Sequence, residues 1–293
     1  MNTPLISVIV ISFNSSATVI ETLESIKNQS YPNIELIVSD DCSTDDTQSV
    51  VKQWLKNNQN ILSFKRALFT STLQNGGPAV NSNHGIKNSN GEWYKLIAAD
   101  DILLPDCISK NVEYVKEHAG IQIVISKMDC FRGHEEVVLP KYDVNWDFWK
   151  LTIKQQYLMM LLDNWVTAPS QFVQKNVWEE LGGFDESMPF IEDWPFWIKS
   201  YRAGIKFGFL DIPTVRYRLH DSLSRANLPS SRYMNSLKYI CDFVHKCQYE
   251  ASPLFRFYSF VRDNIKHNII QKILFVWNPY FWYIRYVRTL MKI

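Results

Sequence analysis

No stretch of this chain reaches the roughly 18 consecutive apolar residues that a membrane-spanning helix needs, the C-terminus coming nearest, so a transmembrane helix is not expected. Net charge is nearly absent as well. It is +1 over 293 residues, with no block of basic side chains, which removes the usual electrostatic ground for binding nucleic acid. Cysteines are few: Cys42, Cys107, Cys130, Cys241 and Cys247 are odd in number and lack CxxC spacing. That argues against a zinc cluster and a disulfide framework, and a reducing compartment follows. Between Met1 and the run Leu5 to Ile11 there is no basic, apolar and small-residue leader, so a cytoplasmic protein is expected. Internal repeats and low-complexity tracts are also missing.

What is present is enough apolar residue, 46% against 21% charged, to bury a sizeable core. The first half alternates short Val- and Ile-rich runs with longer amphipathic stretches. Leu5 to Ser12, Ile34 to Ser39, Ile61 to Phe69, Trp93 to Ala98 and Ile121 to Ser126 read as strands. Ala17 to Asn28, Asp45 to Asn57, Ala79 to Ser89 and Pro105 to His118 read as helices, the second opening on a capping-box spacing of Ser43 and Asp46. Repeated strand-helix units imply an α/β fold with a mostly parallel, doubly wound sheet. Beyond about residue 140 this rhythm weakens and aromatic residues become frequent. We expect one domain over 1–230, with its two halves meeting near residue 126, and a helical, basic and aromatic extension over 231–293.

In doubly wound sheets ligands bind beyond the carboxyl ends of the strands. Two acid pairs fall there: Asp40-Asp41 after the second strand and Asp100-Asp101 after the fourth. Adjacent carboxylates repel one another unless a cation or an array of donors compensates them. Asp100-Asp101 offers the hard oxygen ligands that Mg²⁺ or Mn²⁺ prefers, and a third pair, Glu192-Asp193, follows Gly182-Gly183-Phe184-Asp185-Glu186. The plain alternatives are a helix cap for Asp40 and Asp41 and a solvated helix start for Glu192-Asp193.

Taken as a series, these segments resemble family 2 glycosyltransferases. The resemblance runs from Ser7 to Asn14, through Tyr31 to Asp45, Asn75 to Ala79, Asn83 to Ile86, Gly91-Glu92 and Ala99-Asp100-Asp101. It continues with Gly182 to Glu186, Glu192-Asp193-Trp194 and Tyr217-Arg218-Leu219-His220, covering about residues 5–225. It implies a Rossmann-like GT-A fold and an inverting hexosyl- or N-acetylhexosaminyltransferase that uses a nucleotide sugar, usually a uridine diphosphate sugar. The residues implied for the nucleoside are Ile11, Ser12 and Phe13, through their backbone, with Asp41 and Asp40; Asp100 would lie near the ribose or sugar. Asp101 would bind Mn²⁺ or Mg²⁺, His220 could approach the metal or diphosphate, and Asp193 would be the catalytic base. Many relatives carry an arginine where this chain has Ser82, which puts local diphosphate contacts in question; Lys87 is a conceivable substitute.

After Asp263 no acidic residue occurs, while Lys266, Lys272, Arg285, Arg288 and Lys292 alternate with aromatics such as Trp277, Tyr280, Trp282 and Tyr286. Cations attract anionic headgroups and aromatic rings favour the membrane interface, so this segment fits a peripheral membrane anchor, and the resemblance implies the cytoplasmic face of the inner membrane. Its alternative is packing against the catalytic domain. The family's habits imply a saccharide acceptor that is lipid-linked, in O-antigen or capsule synthesis. Competing functions are a nucleotidyltransferase, against which Glu192-Asp193 counts, and a catalytically degenerate nucleotide-binding protein, against which both acid clusters count.

Overall fold

The computed structural model of the chain describes residues 3–133, 135–137, 146–219 and 231–251. Its strands are β1 (Ile6–Ser12), β2 (Ile34–Asp40), β3 (Arg66–Ser71), β4 (Trp93–Ala98), β5 (Ile102–Leu103), β6 (Ile123–Arg132), β7 (Glu135–Val137), β8 (Gln171–Gln174) and β9 (Phe207–Arg218). The helices are α1 (Val19–Lys27), α2 (Thr47–Lys56), α3 (Asn58–Ile61), α4 (Pro78–Lys87), α5 (Cys107–Glu117), α6 (Trp146–Trp149), α7 (Ile153–Met160), α8 (Lys175–Glu180), α9 (Asp193–Arg202) and α10 (Ser231–Ala251).

One sheet runs through the described residues in the order β3-β2-β1-β4-β8-β6-β9-β5, with β7 paired to β6. Strands β3, β2, β1 and β4 are parallel. β8 then runs antiparallel between β4 and β6, and β9 lies parallel to β6. Strands covered on both faces read as near-continuous apolar runs, and β1 shows the consequence. Ile6, Val8 and Val10 enter the cluster shared with α1, α2 and α5, whereas Ile9 enters the one shared with α4, α7 and α9. The expected α/β fold is therefore present, and the reversal between the parallel block and β8 puts the ends of β1, β2 and β4 at its centre.

Two local expectations change. The third strand is β3 at Arg66–Ser71, not Ile61 to Phe69, because Ile61 closes the short helix α3 and Leu62 is 82% exposed. The capping box at Ser43 does not form. Ser43 Oγ donates instead to Asp40 Oδ1 at 2.6 Å, and Asp45 Oδ1 accepts from Thr47 N at 2.9 Å at the start of α2.

Helix α10 begins where the extension was expected, yet Ile240, Val244 and Cys247 join the same core as α7 and α9. Gln248 Nε2 donates to the main-chain oxygen of Leu161 at 2.6 Å, and Arg202 pairs with Glu250 at 2.7 Å. The basic aromatic segment, residues 252–293, lies outside the described residues.

Candidate active site

The loop after β1 carries an exposed aromatic ring on a rigid base. Phe13 is 46% exposed, while Ser12 before it is buried and Asn14 after it has a left-handed φ of 49°. Asparagine tolerates that region, and Asn14 Oδ1 accepts from Thr44 N at 2.9 Å, tying the β1 loop to the loop after β2. Ile11 and Ser12 present main-chain oxygens here, but both already accept bonds: Ala99 N donates to Ile11 at 3.0 Å and Asp41 N donates to Ser12 at 2.8 Å.

Asp40 and Asp41 coexist because each has its own donors. Asp40 is fully buried, and its carboxylate accepts from Ser12 Oγ (3.0 Å), Ser43 N (2.8 Å), Ser43 Oγ (2.6 Å) and Gln48 Nε2 (2.9 Å). These protein donors tie Asp40 to the end of β1, to the loop after β2 and to the first turn of α2. Asp41 reaches further. It accepts from Thr72 Oγ1 at 3.1 Å, Gly76 N at 2.8 Å and Gly77 N at 2.7 Å, so it holds the loop that starts α4. Gly77, with φ of 90°, meets Pro189 so closely that a Cβ would lie 3.0 Å from the Pro189 oxygen, and Ala79 N donates to that oxygen at 3.1 Å.

Asp100 and Asp101 follow β4, as expected. Asp100 is partly buried, and Asp101 sits behind it at 1% exposure. Asp101 Oδ1 accepts from Arg218 N at 2.9 Å, and its Oδ2 is buried with no hydrogen-bond partner. Arg218 also donates through Nε to the main-chain oxygen of Asp100 at 2.7 Å, and its guanidinium pairs with Glu21. Burial, then the neighbouring Asp100 charge, raises the Asp101 carboxyl well above the usual range, against the pull of Arg218 and Lys95. A buried carboxylate oxygen lacking a donor is the kind of atom a hard divalent cation satisfies, so the pair fits a Mg²⁺ or Mn²⁺ ligand set. Among the described residues no group of three or more His, Cys, Asp or Glu residues could hold a metal, and His220 lies outside those residues.

The third pair opens α9, downstream of Pro189. Asp193 accepts from Asn164 Nδ2 at 2.7 Å and from Trp194 N at 2.8 Å. Burial still keeps its carboxyl above the usual range. Burial, followed by the Asp193 charge, pushes Glu192 up to about 8. Both residues are partly buried at the start of α9. Both carboxyls are thus pushed toward their neutral forms as a coupled pair, and Asp193 is the one held by two protein donors.

Ser82 is fully buried in α4 with its hydroxyl unpartnered. Lys87, the conceivable substitute for the arginine, is the last residue of α4. It lines a cavity of about 370 Å³ with Asp185, Glu186 and Lys199, at the end of α4 opposite Gly77. A helix of that length separates the two ends by about 13 Å.

Residues 7–168 match the family model described as Glycosyl transferase family 2, a span that includes both Asp40-Asp41 and Asp100-Asp101 and ends before Glu192-Asp193. The chain belongs to glycosyltransferase family 2. This glycosyltransferase-family chain is 30% identical over 222 residues to an uncharacterized glycosyltransferase of Haemophilus influenzae, covering 75% of the chain and 67% of that protein. Over 114 residues it is 35% identical to a GalNAc(5)-diNAcBac-PP-undecaprenol beta-1,3-glucosyltransferase of Campylobacter jejuni, covering 39% of the chain and 35% of that protein. The fold matches S. aureus TarS 1-349 in complex with UDP-GlcNAc with a TM-score of 0.62 and 21% identity, over 80% of this chain and 65% of that one. The family 2 chain thus spans from about a third to two thirds of the length of these relatives.

Two contributors to the site went unassigned in the sequence. Arg218 stood in a recognised segment without a role, and Asn164 had no signal at all, since its bond to Asp193 joins positions 29 residues apart.

Proposed function

We propose that this protein is an inverting glycosyltransferase that moves a hexosyl or N-acetylhexosaminyl group from a uridine diphosphate sugar to a hydroxyl of a lipid-linked saccharide. The observation that carries the reading is the pairing of two unlike acid sites. Asp100-Asp101 has a buried oxygen without a donor, while Glu192-Asp193 joins a carboxyl that burial pushes toward its neutral form to one held by two protein donors. The first suits charge on a leaving group and the second suits a proton on a nucleophile. The glycosyltransferase fold with UDP-GlcNAc bound in TarS supports the donor class, and the undecaprenol-linked substrate in the name of the Campylobacter relative supports the acceptor class.

In this reading the exposed Phe13 ring and the backbone of Ile11 to Phe13 line the nucleoside side, and Asp41 sets the shape of that wall through Gly76 and Gly77. Asp101, with Asp100 and His220 as further candidate contacts, would hold a divalent metal, which when bound would supply positive charge toward the diphosphate leaving group. Arg218 keeps Asp101 in place from behind. Asp193 takes the acceptor hydroxyl proton as that oxygen attacks the anomeric carbon from the face opposite the diphosphate, so configuration inverts and no protein nucleophile is needed. The basic aromatic segment after Asp263 places the enzyme on the cytoplasmic face of the inner membrane, where a lipid-linked acceptor for O-antigen or capsule is presented. No helix among the described residues is long and apolar enough to cross a membrane.

A donor screen that measures nucleoside diphosphate release with and without Mn²⁺ tests the proposal. Metal-dependent turnover of one uridine diphosphate sugar above all others is the expected result. Release that is equal for all donors, or independent of metal, overturns it.

A further inference from the structure

Beyond the acids, a single side chain from α10 touches both walls of this site. The donor-side wall is the loop Asn75-Gly76-Gly77, whose last two N–H groups are held from beneath by Asp41. The other wall is the segment Pro189-Phe190, which leads directly into Glu192-Asp193. Arg232, in the first turn of α10, donates through Nη1 to Asn75 Oδ1 at 2.8 Å and through Nη2 to the Asn75 main-chain oxygen at 3.2 Å. Its guanidinium carbon also lies 5.1 Å from the centre of the Phe190 ring, within the range of a cation–π contact. The planar fork of an arginine suits this double grip, since two N–H groups reach two oxygens of one residue while the flat face stays free for a ring.

We propose that Arg232 is a positioning residue that latches the donor-side loop to the segment carrying the base. The inference rests on reading those walls as the donor and base sides of a glycosyltransferase, although the latch itself is a property of the fold. Without it, the walls are joined by the Ala79 to Pro189 hydrogen bond and the Gly77 to Pro189 contact, both at the inner end of the loop, and Asn75 loses its tether. The opposite half of α10 is anchored independently through Gln248 and Glu250, so the helix itself stays docked when Arg232 is removed. Geometry of this kind governs rate steeply, because a small misplacement of reacting groups costs up to about a hundredfold.

The test uses the full chain and two readouts. In hydrogen exchange without any ligand, Arg232→Ala should raise exchange together in residues 74–79 and 188–193 while the segment 238–250 keeps its protection. Unchanged exchange in either wall, or loosening confined to α10, overturns the latch whether or not the chain transfers sugar. In kinetics, Arg232→Ala should lower kcat by about tenfold or more with a smaller change in donor KM. Arg232→Lys, which retains a cation over Phe190 but loses the double grip, should fall between and serves if the alanine variant misfolds. Asn75→Ala combined with Arg232→Ala should lose no more than the worse single change; losses that multiply overturn the proposal. Failure of the functional reading is visible separately, as an unmodified chain that turns over no donor while the exchange result stands.

Discussion

Arg218 and Asp101 are joined at the back of the site: the arginine N–H at the end of β9 donates to one carboxylate oxygen at 2.9 Å and leaves the other without a partner. A group brought from more than a hundred positions away thus orients an acid at the end of β4, and its geometry makes the acid's role testable.

If Asp101 is the metal ligand proposed, Mn²⁺ or Mg²⁺ should raise uridine diphosphate affinity in the unmodified protein and Asp101→Ala should abolish that gain, since the buried oxygen without a donor is gone. Calorimetry with and without metal reads this directly. Metal-independent binding in the unmodified protein would falsify the assignment, and the same loss in Asp100→Ala but not in Asp101→Ala would transfer the role to the more exposed acid.

Asp193→Asn should lower transfer by about 10²- to 10⁴-fold while donor and metal affinity stay nearly unchanged. The amide keeps the shape and can still meet Asn164 after a flip, but it cannot take a proton. If more than roughly a tenth of the activity survives, well above that range, the base lies elsewhere and Glu192 is the next residue to replace.

Glu192 has a folded pKa of about 8, above its ordinary value, so the fold favours its neutral form. That contribution is fully present below the unfolded pKa and is lost as pH rises through the folded one. Glu192→Gln should therefore match the unmodified protein near pH 4.5 and become relatively more stable toward pH 8, by about 1–3 kcal/mol after discounting for partial exposure. Thermal unfolding of both proteins at several pH values checks this; a stability difference that does not change with pH sinks it.

Cys42 sits between the acid pair and Ser43 with a left-handed φ of 59°. Such a backbone costs a side chain roughly 1–2 kcal/mol, part of which glycine gives back through its greater freedom when unfolded. Cys42→Gly should raise stability by about 0.5–1 kcal/mol, visible as a small increase in Tm. A lower Tm would mean that the thiol contact to the Leu73 oxygen, at 3.8 Å, matters more than the strain.

Removing residues 264–293 should release the protein from anionic vesicles without weakening nucleotide binding, because the cations and aromatic rings of that segment are the proposed anchor. Unchanged sedimentation with vesicles refutes the anchor, and a truncated chain that unfolds favours packing on the catalytic domain.

The parallel strands β1 and β2 were legible because burial on both faces favours runs rich in Val and Ile, and β4 because its apolar run from Trp93 to Ala98 is broken only by Lys95. β9 was not, since it contains Asp211 and Pro213 and pairs with β6 across register shifts at Lys127. Acids at strand ends were equally legible as a set. Their division of labour was not: Asp40 and Asp41 look alike in sequence, yet one collects its donors from the end of β1, the loop after β2 and α2, and the other holds a distant glycine pair. The misread cap at Ser43 has the same origin, because a hydroxyl suited to a helix end went to the stronger acceptor beside it.

The pairing of β4 has a consequence for how the chain is made. Its inner edge meets β1, but its outer edge meets β8, and only through Trp93 and Tyr94 opposite Gln174 and Val173. A ribosome therefore completes the four parallel strands long before it has synthesised Gln171. Through that interval one side of β4 is an open, apolar edge of the sort that recruits strands from other chains. Growing chains are thus most exposed to aggregation between the emergence of Ala98 and that of Gln171, and slowing synthesis there would prolong the hazard.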